Sequence, residues 1–466
     1  MSFRNFLRRW WRSGSQPKPQ PEPQPVVEIP QAAPRALPQF GMNNPHPYWE
    51  EAAECGVTLA KKLPHEWSGI EPFRPLAGDR RRFTIDDFGL GDLPSKYQPF
   101  LEKHFRTTLA RLKGQPVDWQ QDSRGRWHAF FWHATDRYVR EAQQHGIDVT
   151  FLMHMRTLWA SNPRGLAHAF ERRDTKGAHL SPTRPEADAD LQFFIQCMVE
   201  RYGTGPNAMP GLKRPVLLWC DGNEYDRRPF FLGSPEDHLR MWRAFSSGVR
   251  AGNPDALVLS NGIADVRDIR KGRCTSHASG FFRVILDHPE LYDVFCHHVY
   301  SYVLRDPDRI REDAKFIRQE MAKREYTKPV AVLECSGAYL GDLVAGKDLR
   351  KTLQNPQDDQ HAKTLKWYDQ ELAREIVAIH CLLFANGVSS VMHFPFRDMV
   401  TGPWQDSSYA VCGLVNPGEP PVRKPVFDVY RDFVGKVRGF SSAKQVSARC
   451  VEFAFDDGRG PVFVSW

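Results

Sequence analysis

From about Phe83 onward, short apolar runs alternate with segments in which apolar residues recur every three or four positions. That order predicts parallel strands joined by crossover helices. Eight runs qualify as strands: residues 83–88, 116–119, 147–154, 215–220, 256–260, 292–299, 329–333 and 388–394. The intervening helices carry their own punctuation. Ser234-Pro235-Glu236-Asp237 supplies an N-cap, a first-turn proline and acids at the positive helix end. Asp306-Pro307 does the same before Ile310, Ala314, Ile317 and Met321, and Asn386-Gly387 is a stop for the helix that ends near Phe384.

Eight strands alternating with helices are the count of an α/β fold of the (β/α)8 TIM-barrel type, expected over residues 40–438. A doubly wound open sheet is the alternative. It is disfavoured because Gly89-Leu90-Gly91 lacks the third glycine and the helix start of a phosphate loop. Residues 450–455 and 462–466 alternate around a polar Gly-containing turn, which predicts a hairpin within a small C-terminal β appendage, 439–466, packed on the barrel's side.

The first 39 residues stand outside this strand and helix alternation. Phe3, Phe6, Leu7, Trp10 and Trp11 form one helical stripe, with Arg4, Arg8, Arg9 and Arg12 on most of the remainder. Residues 1–15 therefore read as a basic amphipathic arm, suited either to an anionic membrane surface or to a protein partner's groove, or else as a frayed tail. Residues 16–39 form a Pro-rich linker, extended and spacer-like.

Composition narrows the function classes. The net charge is +7, and +4 of it falls within residues 1–38, which leaves too little on the body for a nucleic-acid face. Nine cysteines, without a C-x-x-C pair and often inside apolar runs, read as buried free thiols. No run is long enough to span a bilayer. A cytoplasmic setting is expected, peripheral to the inner face of a membrane where the arm engages it.

In a barrel, reactive groups sit where strands end at the C-terminal face. Trp219-Cys-Asp-Gly-Asn223-Glu224 ends the fourth candidate strand and Val332-Leu-Glu334 the seventh, and a barrel faces those two ends across its mouth. Two carboxylates sharing a cleft are the equipment of glycoside hydrolysis: one held protonated to serve the leaving oxygen, the other ionised to attack the anomeric carbon. Asn223 is placed to hold a sugar hydroxyl, and Tyr300 to donate to Glu334 and keep it anionic. His297 and His298 point to opposite strand faces and no H-E-x-x-H or cysteine cluster accompanies them, so no metal is expected. Trp159 and Trp404 read equally as sugar-stacking rings or as core, and Trp219 mostly as core.

Taken in order along the chain, these residues resemble a known group. Trp219-Cys-Asp-Gly-Asn223-Glu224 is similar to the W-x-x-G-N-E strand end of the retaining glycosidases of the (β/α)8 clan A, especially glycoside hydrolase family 39. Asp136-Arg137-Tyr138-Val139, His145-Gly146-Ile147, Trp159-Ala160-Ser161 and Arg201-Tyr202-Gly203 agree with it in sequence order. So do Tyr292-Asp293-Val294, His298-x-Tyr300, Lys328-Pro329-Val330 leading to Glu334, and Gly413-Leu414-Val415 before Lys424-Pro425. The resemblance implies a retaining hydrolase of a polysaccharide or glycoside, with Glu224 as acid/base and Glu334 as nucleophile. Asn223, His298, Tyr300, Trp159 and Trp404 are the candidate residues at the sugar, and the resemblance implies no cofactor. The competing readings are a catalytically inactive carbohydrate-binding barrel and a tethered scaffold whose function lies in residues 1–38.

Overall fold

The computed structural model describes residues 37–61, 65–88, 95–162, 181–264, 266–402 and 405–466. The expectations for the arm and most of the Pro-rich linker lie outside the described residues. Eight parallel strands form the barrel: β1 Phe40–Asn43, β2 Leu59–Lys61, β3 Asp148–His154, β4 Leu218–Cys220, β5 Leu257–Leu259, β6 Phe295–Tyr300, β7 Val330–Ser336 and β8 Val388–His393. Each pairs with its sequence neighbour, and β8 returns to β1 with Phe40 opposite Val391. The ring closes between β5 and β6 through single bridges, Leu259 to Val294 and Ile263 to His297, rather than through a continuous ladder.

These strands are buried on both faces, which is why β6 and β7 are near-continuous apolar runs in the sequence. Leu59, Leu152, Leu218, Cys220, Leu259, Cys296, Ala331, Leu333 and Met392 belong to one buried cluster that fills the barrel interior. Helices clothe the outside. In the helix Pro235–Gly252, Ser234 Oγ accepts from Asp237 N and the Asp237 carboxylate accepts from Ser234 N, the reciprocal cap that its sequence predicts. The helix His361–Ala385 stops at Asn386, with Gly387 at φ 73°.

Two strand assignments from the sequence are corrected. Residues 85–88 form a 3-10 turn, and residues 118–121 pair antiparallel with Trp127–Phe130 in a hairpin outside the barrel. Their apolar side chains fill a separate cluster built on Phe73, Phe88, Tyr97, Leu101 and Phe131, against which Phe83 and Trp119 pack. The true first two strands lie earlier and are only four and three residues long.

This inserted layer between β2 and β3 is tied down through Glu71. Its buried carboxylate accepts from Trp67 Nε1 at 2.7 Å and lies 2.6 Å from His128 Nδ1, while its carbonyl accepts from Thr157 and Trp159 in the loop after β3. The remaining anticipated element is present in a fuller form. Three antiparallel strands, β9 Ser442–Ser447, β10 Cys450–Ala454 and β11 Val462–Ser465, make a sheet whose Phe453 packs 5.0 Å from Phe440 and 6.3 Å from Phe433. No helix among the described residues is long and apolar enough to cross a membrane.

Candidate active site

Four strand ends converge at one place. β7 delivers Glu334 through a break in register. Ala331 and Leu333 face the barrel interior, so strict alternation would turn the next residue outward, but the pairing of β7 with β6 shifts between Val332 and Glu334. The shift sets Glu334 opposite His298 with its carboxylate inside. β2 contributes Lys61, two residues after the inward-facing Leu59 and only 1% exposed.

β4 delivers Glu224 by leaving its ladder. Glu224 has φ 48°, a left-handed conformation that costs a non-glycine residue about 1–2 kcal/mol, held by its N–H donating to Gly262 O at 3.2 Å. Gly262 has a second duty. A Cβ there would lie 2.1 Å from His298 Nε2, so only glycine lets the imidazole reach this position.

The contacts are short and mutually consistent. Glu224 Oε1 lies 2.7 Å from His298 Nδ1, which is 3.6 Å from Glu334 Oε2. Lys61 Nζ donates to Glu334 Oε1 at 2.8 Å, and Tyr300 OH donates to Oε2 at 2.5 Å. One oxygen from each glutamate and a ring nitrogen of His298 fall within 4.8 Å of one another. The two carboxylates thus face a common gap. Asn223 Oδ1, on the residue before Glu224, is buried without a hydrogen-bond partner.

The electrostatics differ around the two acids. Burial acts to raise the Glu334 carboxyl, but the Lys61 and His298 charges and the hydrogen bonds from Lys61 and Tyr300 outweigh it and hold the group well below the usual carboxylate range. Burial and the adjacent carboxylates push the Tyr300 phenol up, so it remains an O–H donor. Asp226 is pushed up to about 7, first by burial and then by the charge of Glu224. A metal does not suit this donor set, because an ammonium and a phenol already occupy both Glu334 oxygens. At Asp122, His128 and Asp190, Arg124 and Arg126 fill the corresponding role.

The structure brings Glu224, His298, Tyr300 and Glu334 together, with Asn223 next to Glu224 in the chain, and it sets His297 on the other face of β6, buried and with its pKa lowered to about 3 chiefly by desolvation. Trp159 is 4% exposed, edge-on to Trp67 at 5.0 Å, with its N–H committed to Glu71 O, so its ring is core and offers no face to a sugar. Trp219 is likewise core, stacked on Phe151. Trp404 lies outside the described residues. Beyond the residues anticipated, Lys61 belongs to the site, as does Tyr409, which is stacked 5.2 Å from Tyr300 and edge-on to Phe394. No signal in Leu59-Ala-Lys61 separates this lysine from the exposed lysines of the chain.

Lys61 gives the site a testable pH dependence. A depressed carboxyl stays ionised until the pH falls through its folded-state value, so any activity that needs ionised Glu334 persists to low pH. Lys61→Met is expected to raise the Glu334 carboxyl and move the acid limb of kcat/KM upward by roughly one to two pH units. Rate profiles of the two proteins measured between pH 3 and 8 check this; superimposable acid limbs would contradict the assigned role.

No protein-family model and no curated protein matches the sequence. Solved structures do share its fold. A glucosidase from Croceicoccus marinus is 14% identical with a TM-score of 0.51, over 92% of this chain and 74% of that one. A family 39 glycoside hydrolase from the gut symbiont Bacteroides cellulosilyticus is 13% identical with a TM-score of 0.51, over 92% and 70%. A monomeric β-xylosidase from Caulobacter crescentus is 11% identical with a TM-score of 0.53, over 93% and 74%. The chain therefore has the (β/α)8 architecture found in these clan A enzymes, as its motif order implies. At such identities the likeness is one of fold, and the chemistry rests on the site.

Proposed function

We propose that the protein is a retaining O-glycoside hydrolase. The observation that carries this reading is the facing pair Glu224 and Glu334, close enough to address one sugar ring and held in unlike surroundings. Glu334, kept ionised by Lys61 and Tyr300, attacks the anomeric carbon. Glu224 gives its proton to the glycosidic oxygen as that bond breaks, leaving a glycosyl ester on Glu334 and a free alcohol. Glu224, now a carboxylate, then takes a proton from water, whose oxygen attacks the anomeric carbon and releases Glu334. Asn223 Oδ1, lacking a protein donor, is suited to a sugar hydroxyl whose hydrogen bond tightens as the oxocarbenium-like state forms. Double displacement by two carboxylates needs no cofactor.

The close approach of the carboxylates supports double displacement, because an inverting pair stands roughly 6.5–9.5 Å apart to admit water between acid and base. Activated aryl glycosides of a panel of pentoses and hexoses are expected to be cleaved, with the first-formed sugar keeping the anomeric configuration of the substrate by NMR. An inverted first product would refute double displacement. Glycan affinity with no product over long incubation would instead identify a binding barrel.

A further inference from the structure

β4 ends its ladder at Cys220, and the six residues from Asp221 to Asp226 that carry Glu224 are held by contacts other than strand pairing. One flank is pinned to the chain after β5: Asn223 bridges Gly262, Glu224 N donates to Gly262 O, and the Asp226 carboxylate accepts from Ala264 N at 3.2 Å. The other flank packs on helix and loop side chains, with His277 Nε2 3.2 Å from Tyr225 O and Phe231 stacked on Tyr225 at 4.5 Å, and one of them, His238, bonds the Asp221 carboxylate. His238, in the first turn of the helix Pro235–Gly252, places Nε2 2.7 Å from Asp221 Oδ2, with both side chains fully buried. The same nitrogen is 3.5 Å from Asn261 Nδ2. The imidazole stands edge-on to Tyr225, the residue after Glu224, at 5.3 Å, and stacks on Trp242 at 5.4 Å. Tyr225 in turn covers Gly222, where a Cβ would meet its ring at 2.3 Å.

His238 therefore touches the residue three before Glu224, the residue directly after it, and the residue preceding the glycine that accepts its N–H. None of these contacts reaches the cleft gap itself. We propose that His238, through its bond to Asp221, is a positioning residue that holds the Glu224 carboxyl in line with the leaving oxygen. The proposal rests on the glycosidase reading above.

Without the Asp221 anchor the strained turn at Glu224 loosens on that flank while the Gly262 flank stays pinned, and the carboxyl is expected to lose its alignment. Glu334 hangs on β7 and its own partners Lys61 and Tyr300, so the nucleophile keeps its place. The defect is thus confined to the two proton transfers assigned to Glu224, and kcat/KM, which reports the first step, isolates its proton donation. His238→Leu is expected to lower kcat/KM about 30-fold for aryl glycosides of weakly acidic phenols, which need the proton. For 2,4-dinitrophenyl glycosides, which do not, the loss is expected to stay within about threefold. His238→Gln keeps an N–H for Asp221 and is expected to recover most of the loss. Asp221→Asn, which preserves packing but not the charged acceptor, carries the test if the leucine variant does not fold, with the same dependence on leaving group at smaller amplitude.

Equal losses across leaving groups, or none, in folded variants would overturn the positioning role while leaving the glycosidase reading intact. A wild-type protein that cleaves no aryl glycoside at all would overturn the reading on which it rests.

Discussion

Glu334→Gln is expected to abolish turnover on every glycoside that the wild-type protein cleaves, by roughly 10^4-fold or more, equivalent to about 5–6 kcal/mol of lost transition-state stabilisation. The amide cannot form the glycosyl ester, and nothing else near the gap replaces it. The same change strips Lys61 of its anion in a setting where the lysine is 1% exposed. Removing one partner of a buried pair costs about 3–5 kcal/mol, so the variant should also melt lower. Adding Lys61→Met to Glu334→Gln is expected to restore much of the melting temperature and none of the activity. Initial rates and thermal melts on the three proteins check both halves; an active single variant would remove Glu334 from the chemistry.

Glu224→Gln is expected to act unevenly. Substrates with poor leaving groups lose the full benefit of proton donation, about 10^2–10^4-fold, whereas dinitrophenyl glycosides form the glycosyl-enzyme nearly as before and then stall because no base activates water. Azide needs no base, so it is expected to restart this variant and yield a glycosyl azide, while leaving Glu334→Gln inert. Steady-state rates with and without azide, followed by product analysis, decide it. Rescue of neither variant or of both would exclude the assigned division of labour.

The legibility of this molecule follows the lengths of its strands. β3, β6, β7 and β8 run six or seven residues and are buried on both faces, so they stand out as apolar runs, and the capped helices between them fix their order. Glu334 is readable because it closes the apolar part of β7, and Glu224 because it follows the apolar stretch 215–220, of which only three residues form β4. β1 and β2, Phe-Gly-Met-Asn and Leu-Ala-Lys, are too short for a period to show, and both end on polar residues that function inside the barrel. Asn43 donates to the carbonyls of Leu333 and His393, and Lys61 reaches Glu334. The stronger apolar signal at residues 83–88 and 116–119 belongs to the inserted layer, whose aromatic cluster mimics strand composition. Without β2 in the sequence reading Lys61 goes unnoticed, so one misplaced element conceals the cation bonded to Glu334. The bulge at Glu334 and the turn at Glu224 are tertiary features with no local signature, and for that reason the carboxylates can be placed at strand ends from sequence but not aimed.

The join between β5 and β6 carries more than the closure of the ring. Gly262 and Ile263 accept the amide protons of Glu224 and His298, so the backbone of the two neighbours hangs from two consecutive carbonyls where the wall is joined by single bridges. Slight parting of the wall there disengages both side chains together while most of the scaffold stays intact. If the proposed hydrolysis takes place here, warming is expected to lower it before the molecule unfolds, because the wall that carries Glu224 and His298 is joined by single bridges.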